Sequence, residues 1–332
     1  MAVPEKRLIA QIRRMARFEA NPAVEVGIGD DCAVLGLSPG RGDRKKPKGE
    51  NDTLVTTDFS LEGVHFRREW HSPESVGHRC LTRGLSDIAA MGGEPVAGFL
   101  SLALPRDLPS TWAARFARGL MALAKRSGVT LAGGDTAASP DGILADIVVL
   151  GTAPRGTSVL RSTARPGDCI YVSGELGGAA AALRQMLKKP RQKLNPRDYP
   201  RHFFPEARLE LGRALRRRAL ASAMIDTSDG LSTDLAHICE ESGVGAELQA
   251  EAIPRATVGK PQQEVDLQLA LHGGEDYELL FTAPQSKLVP SRIGGIPIAR
   301  IGRVTRGRQI VLLSGSGVRQ PLKPGGWEHF GN

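Results

Sequence analysis

Residues 72–93 read SPESVGHRCLTRGLSDIAAMGG and carry the clearest secondary-structure signal of the chain. Ser72 is placed to cap a helix whose first turn begins with Pro73, and apolar residues follow at helical spacing as far as the glycine pair. The stretch therefore predicts a helix with one buried face. Near its end this helix also carries an acid, Asp87, between apolar neighbours.

Strands and helices are predicted on both sides of this helix, with no strict alternation. Further helices are predicted over 5–20 and 110–127, from 177, and over 205–218 and 231–242; strands are predicted over 54–58, 96–104, 129–132, 143–151, 169–173, 223–226, 278–282, 299–304 and 309–313. This mixture favours the α+β class, with two α/β domains whose mixed sheets pack against helices. The Pro/Gly/Arg-rich stretch 154–168 divides the chain into domains at 1–153 and 154–332, and the polar stretch 38–52 is predicted to be a surface loop.

Composition and charge exclude several classes of protein. The 332 residues are 41% hydrophobic and carry a net charge of +8, which is ordinary for a globular protein. Residues 184–218 contain twelve Lys and Arg against three Asp and Glu in one stretch punctuated by prolines, so we expect a solvated basic surface and no nucleic-acid partner. No apolar run approaches the ~18 residues of a membrane span. The four cysteines lie far apart, which argues against disulfides and zinc and favours a cytoplasmic protein.

Several acidic residues stand at positions where an acid that only increases solubility is not expected. They stand in glycine-rich turns or beside strand ends, flanked by apolar residues: Asp30, Asp31, Asp58, Asp87, Asp135, Asp226 and Asp229. One such acid alone is more typical of a turn or a helix cap. Adjacent carboxylates repel each other unless a cation lies between them, and oxygen ligands without His or Cys favour Mg²⁺, which usually bridges to substrate phosphates. The recurrence of the pattern therefore predicts a magnesium site.

The common phosphate-binding motifs are absent. No GxxxxGK[ST] occurs, since Gly259-Lys260 is followed by proline, and the catalytic-loop and DFG signatures of protein kinases are missing. Backbone N–H groups of glycine-rich turns, the helix N-terminus after Gly230, or Arg161 can hold phosphates instead. A nucleotide is therefore expected to bind by a non-P-loop route.

Short segments that contain glycines and acids follow one another in a distinctive order. They are GDDCAV at 29–34, TTDFSLEGVHF at 56–66, LSDIAAMG at 85–92, GGDT at 133–136, Arg161 with RPGD at 165–168, DTSDGL at 226–231 and GGEDYEL at 273–279. In this order they resemble the thiamine-monophosphate kinase family, within the superfamily of aminoimidazole-ribotide synthetase. The sequence departs from the family pattern at Arg83-Gly84, where a small residue and Asn are common, and in the longer, more basic loop 38–52.

The resemblance implies an enzyme that transfers the γ-phosphate of ATP to thiamine monophosphate and so forms thiamine diphosphate. It implies a cytoplasmic homodimer, in which an N-terminal domain binds ATP and Mg²⁺ and dimerises while a C-terminal domain closes over the active site. Several Mg²⁺ ions would assist a direct in-line transfer. No covalent or acid–base catalytic residue is expected, because a phosphate nucleophile is already ionised at neutral pH.

The resemblance also implies a role for particular residues. The ligands of Mg²⁺ would be Asp31, Thr56, Thr57, Asp58, Asp87, Asp135, Asp226 and Asp229. The residues that contact ATP would be Gly134, Asp135, Arg161 and Ser228. The residues that contact thiamine monophosphate would be His65, Glu275 and Trp327. For these last three, the alternative interpretations are a histidine with a structural role, a local cap, and a C-terminal core or lid tryptophan. Asp30 is expected only to shape the turn beside Asp31.

Other members of the superfamily are less consistent with the sequence. Selenophosphate synthetase would need a reactive Cys or selenocysteine before the first acidic motif, where residues 1–26 contain no Cys. A hydrogenase-maturation carbamoyl dehydratase would carry a C-terminal Cys, but the last one here is Cys239. An aminoimidazole-ribotide synthetase-type enzyme remains the enzymatic alternative. A non-catalytic nucleotide-binding module remains an alternative of another class, although the acids that it would be expected to lose are all present.

Overall fold

The structure is a computed structural model, which describes residues 5–16, 21–36 and 50–329. The elements of its first half are α1 (Glu5–Ala16), β1 (Val24–Val26), β2 (Ala33–Leu35), β3 (Asn51–Leu61), α2 (Pro73–Ala90), β4 (Glu94–Pro105), α3 (Ser110–Ser127), β5 (Thr130–Ser139) and β6 (Leu144–Pro154). Residues 17–20 of the predicted first helix and 38–49 of the predicted loop lie outside the described residues. The loop prediction is wrong at Asn51 and Asp52, because these two residues already belong to β3.

A sheet in the order β1-β2-β3-β6-β4-β5 organises this half. Its strands pair antiparallel except for β4 and β5, which are parallel. The capping prediction for α2 is confirmed, since the Ser72 hydroxyl accepts the Ser75 N–H at 3.2 Å. Apolar residues of α2 and α3, among them Leu85 and Phe116, pack with Leu54 of β3 and Ile147 of β6 in one core.

The second half contains a second sheet. Its elements are β7 (Cys169–Ser173), α4 (Gly178–Lys188), α5 (Pro200–Phe203), α6 (Leu209–Arg217), β8 (Ala223–Asp226), α7 (Leu231–Ser242), β9 (Gly245–Gln249), β10 (Thr257–Val258), β11 (Gln263–Glu264), α8 (Leu267–His272), β12 (Leu279–Ala283), β13 (Arg292–Ile293), β14 (Ile296–Thr305), β15 (Ile310–Leu313) and β16 (Arg319–Pro321). The sheet order is β16-β15-β9-β14-β7-β12-β8, with β13 beside β14, and β10 and β11 form a separate pair. Within the large sheet only β9 and β15 run parallel. The predicted α+β class is therefore confirmed.

Helix α2 joins the two halves. Its residues Ala89 and Ala90 belong to a core that also contains Leu211 of α6 and Phe281 of β12. The backbones are so close that a Cβ on Gly212 would lie 2.0 Å from the carbonyl oxygen of Ala89. The two sheets use different parts of the chain, 24–154 and 169–321, whereas the domain boundary between 153 and 154 stays a prediction.

Strand β5 is longer than predicted, and the reason lies in its glycines. It continues through Gly133, Gly134 and Asp135 instead of ending at 132, because it pairs with β4 as far as Ser139. Gly134 has φ +145°, and a Cβ there would lie 1.8 Å from the carbonyl oxygen of Leu100. Only glycine fits this close approach, so the Gly-Gly pair permits strand pairing here.

None of the helices within the described ranges has both the length and the apolar character needed to cross a membrane.

Candidate active site

A cavity of about 560 Å³ lies between the two halves. Most of the residues predicted for the site line it: Asp31, Thr56, Thr57, Asp58, His65, Asp87, Arg161, Ser228, Asp229, Glu275 and Trp327. They come from the turn after β1, from β3 and α2, from the turn after β8, and from the segments that follow β6, α8 and β16. The fold therefore brings segments that are far apart in sequence to one place.

Three carboxylates converge beside this cavity, two of them buried and that of Asp87 half-buried. Asp31, Asp87 and Asp226 each offer an oxygen, and these atoms all lie within 4.8 Å of one another. Burial, followed by the charge of Asp31, raises the pKa of Asp226 to about 7. Burial, followed by the charges of Asp58, Asp226 and Asp31, raises the pKa of Asp87. Such a set of oxygens without His or Cys has the donor chemistry that a hard divalent cation requires.

Hydrogen bonds fix each member of this carboxylate cluster. The Thr56 hydroxyl donates to Oδ2 of Asp87, and the Ser86 hydroxyl donates to Oδ2 of Asp226 at 2.6 Å. Arg161 contacts both carboxylate oxygens of Asp31, through Nη2 at 2.5 Å and Nε at 3.2 Å. The cluster therefore holds its geometry through protein contacts, and Arg161 is already fixed beside it.

Asp30 occupies the position expected for a turn residue. Its carboxylate accepts the Asp31 N–H at 3.1 Å and the Arg161 N–H at 3.2 Å. Burial, followed by the charge of Asp31, raises its pKa to about 7. These contacts tie the turn after β1 to the 3₁₀ turn at Arg161–Thr163.

Strand β3 presents its threonines to opposite faces of the sheet. Thr56 and Asp58 lie on the face covered by α2, and burial raises the pKa of Asp58 although Arg83 and a hydrogen bond with Asp87 oppose the shift. Thr57 lies on the open face, where its hydroxyl donates to Asp146 at 2.8 Å. Asp146 of β6 is an acid that the sequence analysis missed. An acid inside an apolar strand is unusual, as it is at Asp58, and this position in the sequence could have identified Asp146.

Gly134 and Asp135 lie apart from the cavity, whose lining includes neither of them. The register aligns Asp135 with Ser101, Ser101 with Asp146, and Asp146 with Phe59. Residues that face each other across paired strands share one face of a sheet, so Asp135 belongs to the open face. It is exposed there, and its carboxylate accepts the Thr136 N–H at 2.8 Å. The roles predicted for both residues stay predictions.

The turn between β8 and α7 carries Asp229 and Ser228. Burial, followed by the charge of Glu5, raises the pKa of Asp229 to about 6. The backbone of Ser228 accepts the Glu275 N–H at 2.8 Å. At the start of α7, the Gly230 N–H donates to the buried Asp234 at 2.9 Å. The helix N-terminus after Gly230 is one of the candidate phosphate-binding sites, and its Gly230 N–H is already bonded to Asp234.

Glu275 is held in a strained loop by two arginines of α2. Its φ of +66° is unusual for a residue with a side chain and typical of functional sites. Arg79 Nη2 lies 2.7 Å from both of its carboxylate oxygens, and Arg83 Nη2 lies 2.7 Å from one of them. Burial would raise the pKa of Glu275, but these two cations outweigh it and lower the pKa. Glu275 is thus a charged group fixed at the cavity wall.

His65 and Trp327 lie near each other through His329, whose ring contacts both edge-on. The Nδ1 atom of His65 accepts the Leu61 N–H at 2.9 Å, so its Nε2 carries the proton. Burial, followed by the charge of Arg83, lowers the pKa of His65 to about 3, which keeps the ring neutral. Trp327 is 51% exposed, which excludes the interpretation as a core tryptophan.

An apolar part of the cavity was not predicted. Phe66, Trp70, Leu183 and Leu187 line it together with a pair of histidines, His71 and His202, whose Nε2 atoms are 3.0 Å apart. These residues come from the loop before α2, from α4 and from α5. Only the fold brings these segments together, so no local pattern indicated the apolar wall.

Comparisons with known proteins agree with this geometry. The family described as "AIR synthase related protein, N-terminal domain" matches residues 29–153, and the corresponding C-terminal domain family matches residues 165–314. A thiamine-monophosphate kinase from Salmonella typhimurium is 36% identical over 99% of both chains, and one from Bacillus subtilis is 33% identical over 93% of this chain and 94% of its own. A solved structure, "AaThiL complexed with AMPPCP and TMP", superposes with a TM-score of 0.83 at 30% identity over 99% of both chains.

Proposed function

The chain belongs to the thiamine-monophosphate kinase family of AIR synthase-related proteins, and from this membership we propose that it phosphorylates thiamine monophosphate with ATP. The observation that carries this function is the placement of the carboxylate cluster and of His65, Glu275 and Trp327 around one cavity. An acidic metal site beside a partly apolar pocket suits a reaction between two phosphates, one of which belongs to an aromatic substrate.

The carboxylate cluster would hold Mg²⁺. Three carboxylates whose oxygens lie within 4.8 Å of one another, two of them buried, repel each other unless they are protonated or a cation neutralises them, and their oxygen donors match a hard cation. Asp31, Asp87 and Asp226 would provide the first ligands, with Asp58 and Asp229 nearby in the same cavity. Bound Mg²⁺ would supply positive charge to the phosphates that react. Asp135 lies on the open face of the sheet, so any Mg²⁺ that it binds would lie on that face.

The transfer itself would need little covalent chemistry from the protein. A phosphate oxygen of thiamine monophosphate attacks the γ-phosphorus, the bond from that phosphorus to the bridging oxygen of ADP breaks, and ADP leaves. The nucleophile is already ionised, so no side chain has to remove a proton. Arg161, fixed beside Asp31, would contact ATP, and the protein would contribute mainly orientation and electrostatic stabilisation.

The other side of the cavity would bind the rings of the substrate. Trp327, half exposed at the rim, is able to stack on a cationic thiazolium or on the pyrimidine. Glu275 offers carboxylate oxygens whose charge is balanced by Arg79 and Arg83, and neutral His65 offers an Nε2 proton. Together with Trp327 these groups favour an aromatic ring system with polar substituents.

The open face of the first sheet supports a homodimer. Phe59 and Phe99 lie on this face and are 55% and 36% exposed; Phe99 pairs with Val148 of β6, and Phe59 pairs with Asp146 two residues earlier on the same strand. A second copy of the chain would cover these apolar residues and also Asp135. A cytoplasmic location belongs to the same proposal.

One assay tests the function. The protein is incubated with ATP and Mg²⁺ and, in separate reactions, with thiamine, thiamine monophosphate or an aminoimidazole precursor, and products are identified by mass spectrometry. We expect thiamine diphosphate and ADP in equal amounts from thiamine monophosphate, and none when EDTA is added. Absence of thiamine diphosphate would refute the function, and ATP consumption with the aminoimidazole precursor would favour the synthetase alternative.

A further inference from the structure

Arg79 and Arg83 lie one turn apart on α2 and contact the same carboxylate, yet their surroundings differ. Arg79 is enclosed by protein: Nη1 donates to the backbone oxygen of His202, and Nη2 donates to that of His65 at 3.1 Å and to Glu275. Its side chain is only 4% exposed. Arg79 therefore has a structural role, because its hydrogen bonds connect three segments of the wall.

Arg83 makes fewer contacts. Among the residues that the structure describes, Glu275 is its one hydrogen-bond partner, through Nη2. The guanidinium keeps other N–H donors, its side chain is 13% exposed, and Arg83 lines the cavity whereas Arg79 does not. Arg83 therefore keeps donors for a further hydrogen-bond partner at the cavity wall.

The position of Arg83 is between the two functional parts of the site. On one side it contacts Glu275, a residue of the substrate end. On the other side it lies one helical turn before Asp87 of the carboxylate cluster, and both residues line the cavity. Arg83 therefore belongs to the same cavity as Glu275 and Trp327 at one end and Asp58 and Asp87 at the other.

We propose that Arg83 binds the phosphate group of thiamine monophosphate and orients it for attack, an inference that rests on the function proposed above. A guanidinium presents two parallel N–H groups that match two oxygens of a phosphate, and the ion pair with Glu275 fixes the Arg83 side chain. The positive charge also reduces the repulsion between the two phosphates as they approach. Arg83 is then the residue that distinguishes phosphorylated thiamine from thiamine itself.

The test compares the affinity for thiamine monophosphate with that for thiamine, which lacks the phosphate. In Arg83→Met we expect KM for thiamine monophosphate to rise by about 10- to 100-fold, the range for loss of a charged hydrogen-bonded pair. The inhibition constant of thiamine and KM for ATP should change less than about twofold. Arg83→Lys keeps the positive charge but lacks the two parallel N–H groups of a guanidinium. Its KM for thiamine monophosphate should therefore lie between those of the wild type and Arg83→Met.

Arg115→Met is the matched control, since Arg115 forms a two-fold ion pair with Glu74 on the surface, outside the cavity. It should change none of these constants. An unchanged KM for thiamine monophosphate in Arg83→Met, or an equal loss for thiamine, would overturn the inference, as would a rise confined to ATP. Calorimetry checks folding, and Arg83→Lys serves if the Met variant is unstable. An inactive wild type would instead refute the proposed function, so the two failures are distinct.

Discussion

Ser86 of α2 donates a 2.6 Å hydrogen bond to Oδ2 of Asp226, which ends β8 in the other half of the molecule. The next residue on α2 is Asp87, whose carboxylate lies beside that of Asp226. The carboxylate cluster is thus completed only when the second half docks on α2. Assembly of the site and docking of the two halves are one structural event.

Replacement of Ser86 tests this coupling. Ser86→Ala leaves the buried Asp226 without its donor, so we expect a loss of about 1.5–3 kcal/mol in the free energy of unfolding and a higher Mg²⁺ requirement for activity. Chemical denaturation and a Mg²⁺ titration measure the two effects. Ser75→Ala is the control, because Ser75 also connects α2 to the second half, but through the neutral backbone oxygen of Phe203 at 2.7 Å. It should lose stability with the Mg²⁺ requirement unchanged, and an equal shift in both variants would contradict the coupling.

Asp58→Asn should remove most of the activity while the fold is retained. The change keeps the size of the side chain and removes one negative charge beside Asp87. We expect kcat to fall by about a hundredfold or more, which corresponds to ~2.7 kcal/mol of lost transition-state stabilisation. KM for thiamine monophosphate should change little, and added Mg²⁺ should restore part of the rate.

Asp141→Asn is the matched control for Asp58→Asn, since Asp141 lies exposed in the turn between β5 and β6. It should behave as the wild type in steady-state kinetics. A rate for Asp58→Asn close to that of the wild type would mean that Asp58 takes no part in the metal site.

Without metal, the stability conferred by Asp226 should fall as pH rises. Burial, followed by the charge of Asp31, raises the pKa of Asp226 to about 7 from an ordinary value of 3.8. A carboxyl that holds its proton more tightly when folded stabilises the protein below the unfolded pKa and loses this effect as pH rises through the folded value. In EDTA, calorimetry should therefore show that Asp226→Asn has a higher Tm than the wild type at about pH 8, with the difference shrinking towards about pH 4.

Mg²⁺ should reverse that order at about pH 8, because only the wild-type carboxylate offers the charge that a cation binds. A Tm difference in EDTA that is independent of pH would show that Asp226 is not the titrating group.

Local sequence patterns predicted the elements that carry their own signals. The cap and the apolar spacing of α2, the bounds of α3, and the short apolar strands β7 and β8 all appear in the structure where they were predicted. Each depends on contacts within a few residues. The acids were also recognisable, because a carboxylate beside apolar residues is unusual wherever it occurs.

Relationships that depend on sheet register were not predictable in this way. Thr57 and Asp58 are neighbours in sequence but lie on opposite faces of β3, and Asp135 joins the open face only because β5 pairs with β4 beyond residue 132. Arg83 stood out as a departure from the family pattern. Its contact with Glu275, 192 positions away in the chain, follows from the docking of α2 against the second half.

Trp327 should contribute to substrate affinity far more than to stability. It is half exposed, and its backbone N–H donates to Asp229, a contact that any residue preserves. Trp327→Ala should raise KM for thiamine monophosphate by about tenfold, consistent with loss of one stacking contact, and shift Tm little. Trp327→Phe should retain most of the affinity. A large drop in Tm with unchanged KM would assign the tryptophan a structural role.

The open face of the first sheet provides the last prediction. Phe59 is 55% exposed on β3, on the same face of the sheet as Phe99 of β4, and a charge at this position would have to be desolvated when two copies pack together. Phe59→Glu should therefore convert a dimer into a monomer in light scattering at micromolar concentration. Its Tm at low concentration should stay close to that of the wild type, because Phe59 lies outside the buried core. Leu288→Glu is the control, since Leu288 is 94% exposed in the second half, away from this sheet, and should leave the mass unchanged. A wild-type protein that is already monomeric, or a Phe59→Glu variant that remains dimeric, would place any contact between copies elsewhere on the molecule.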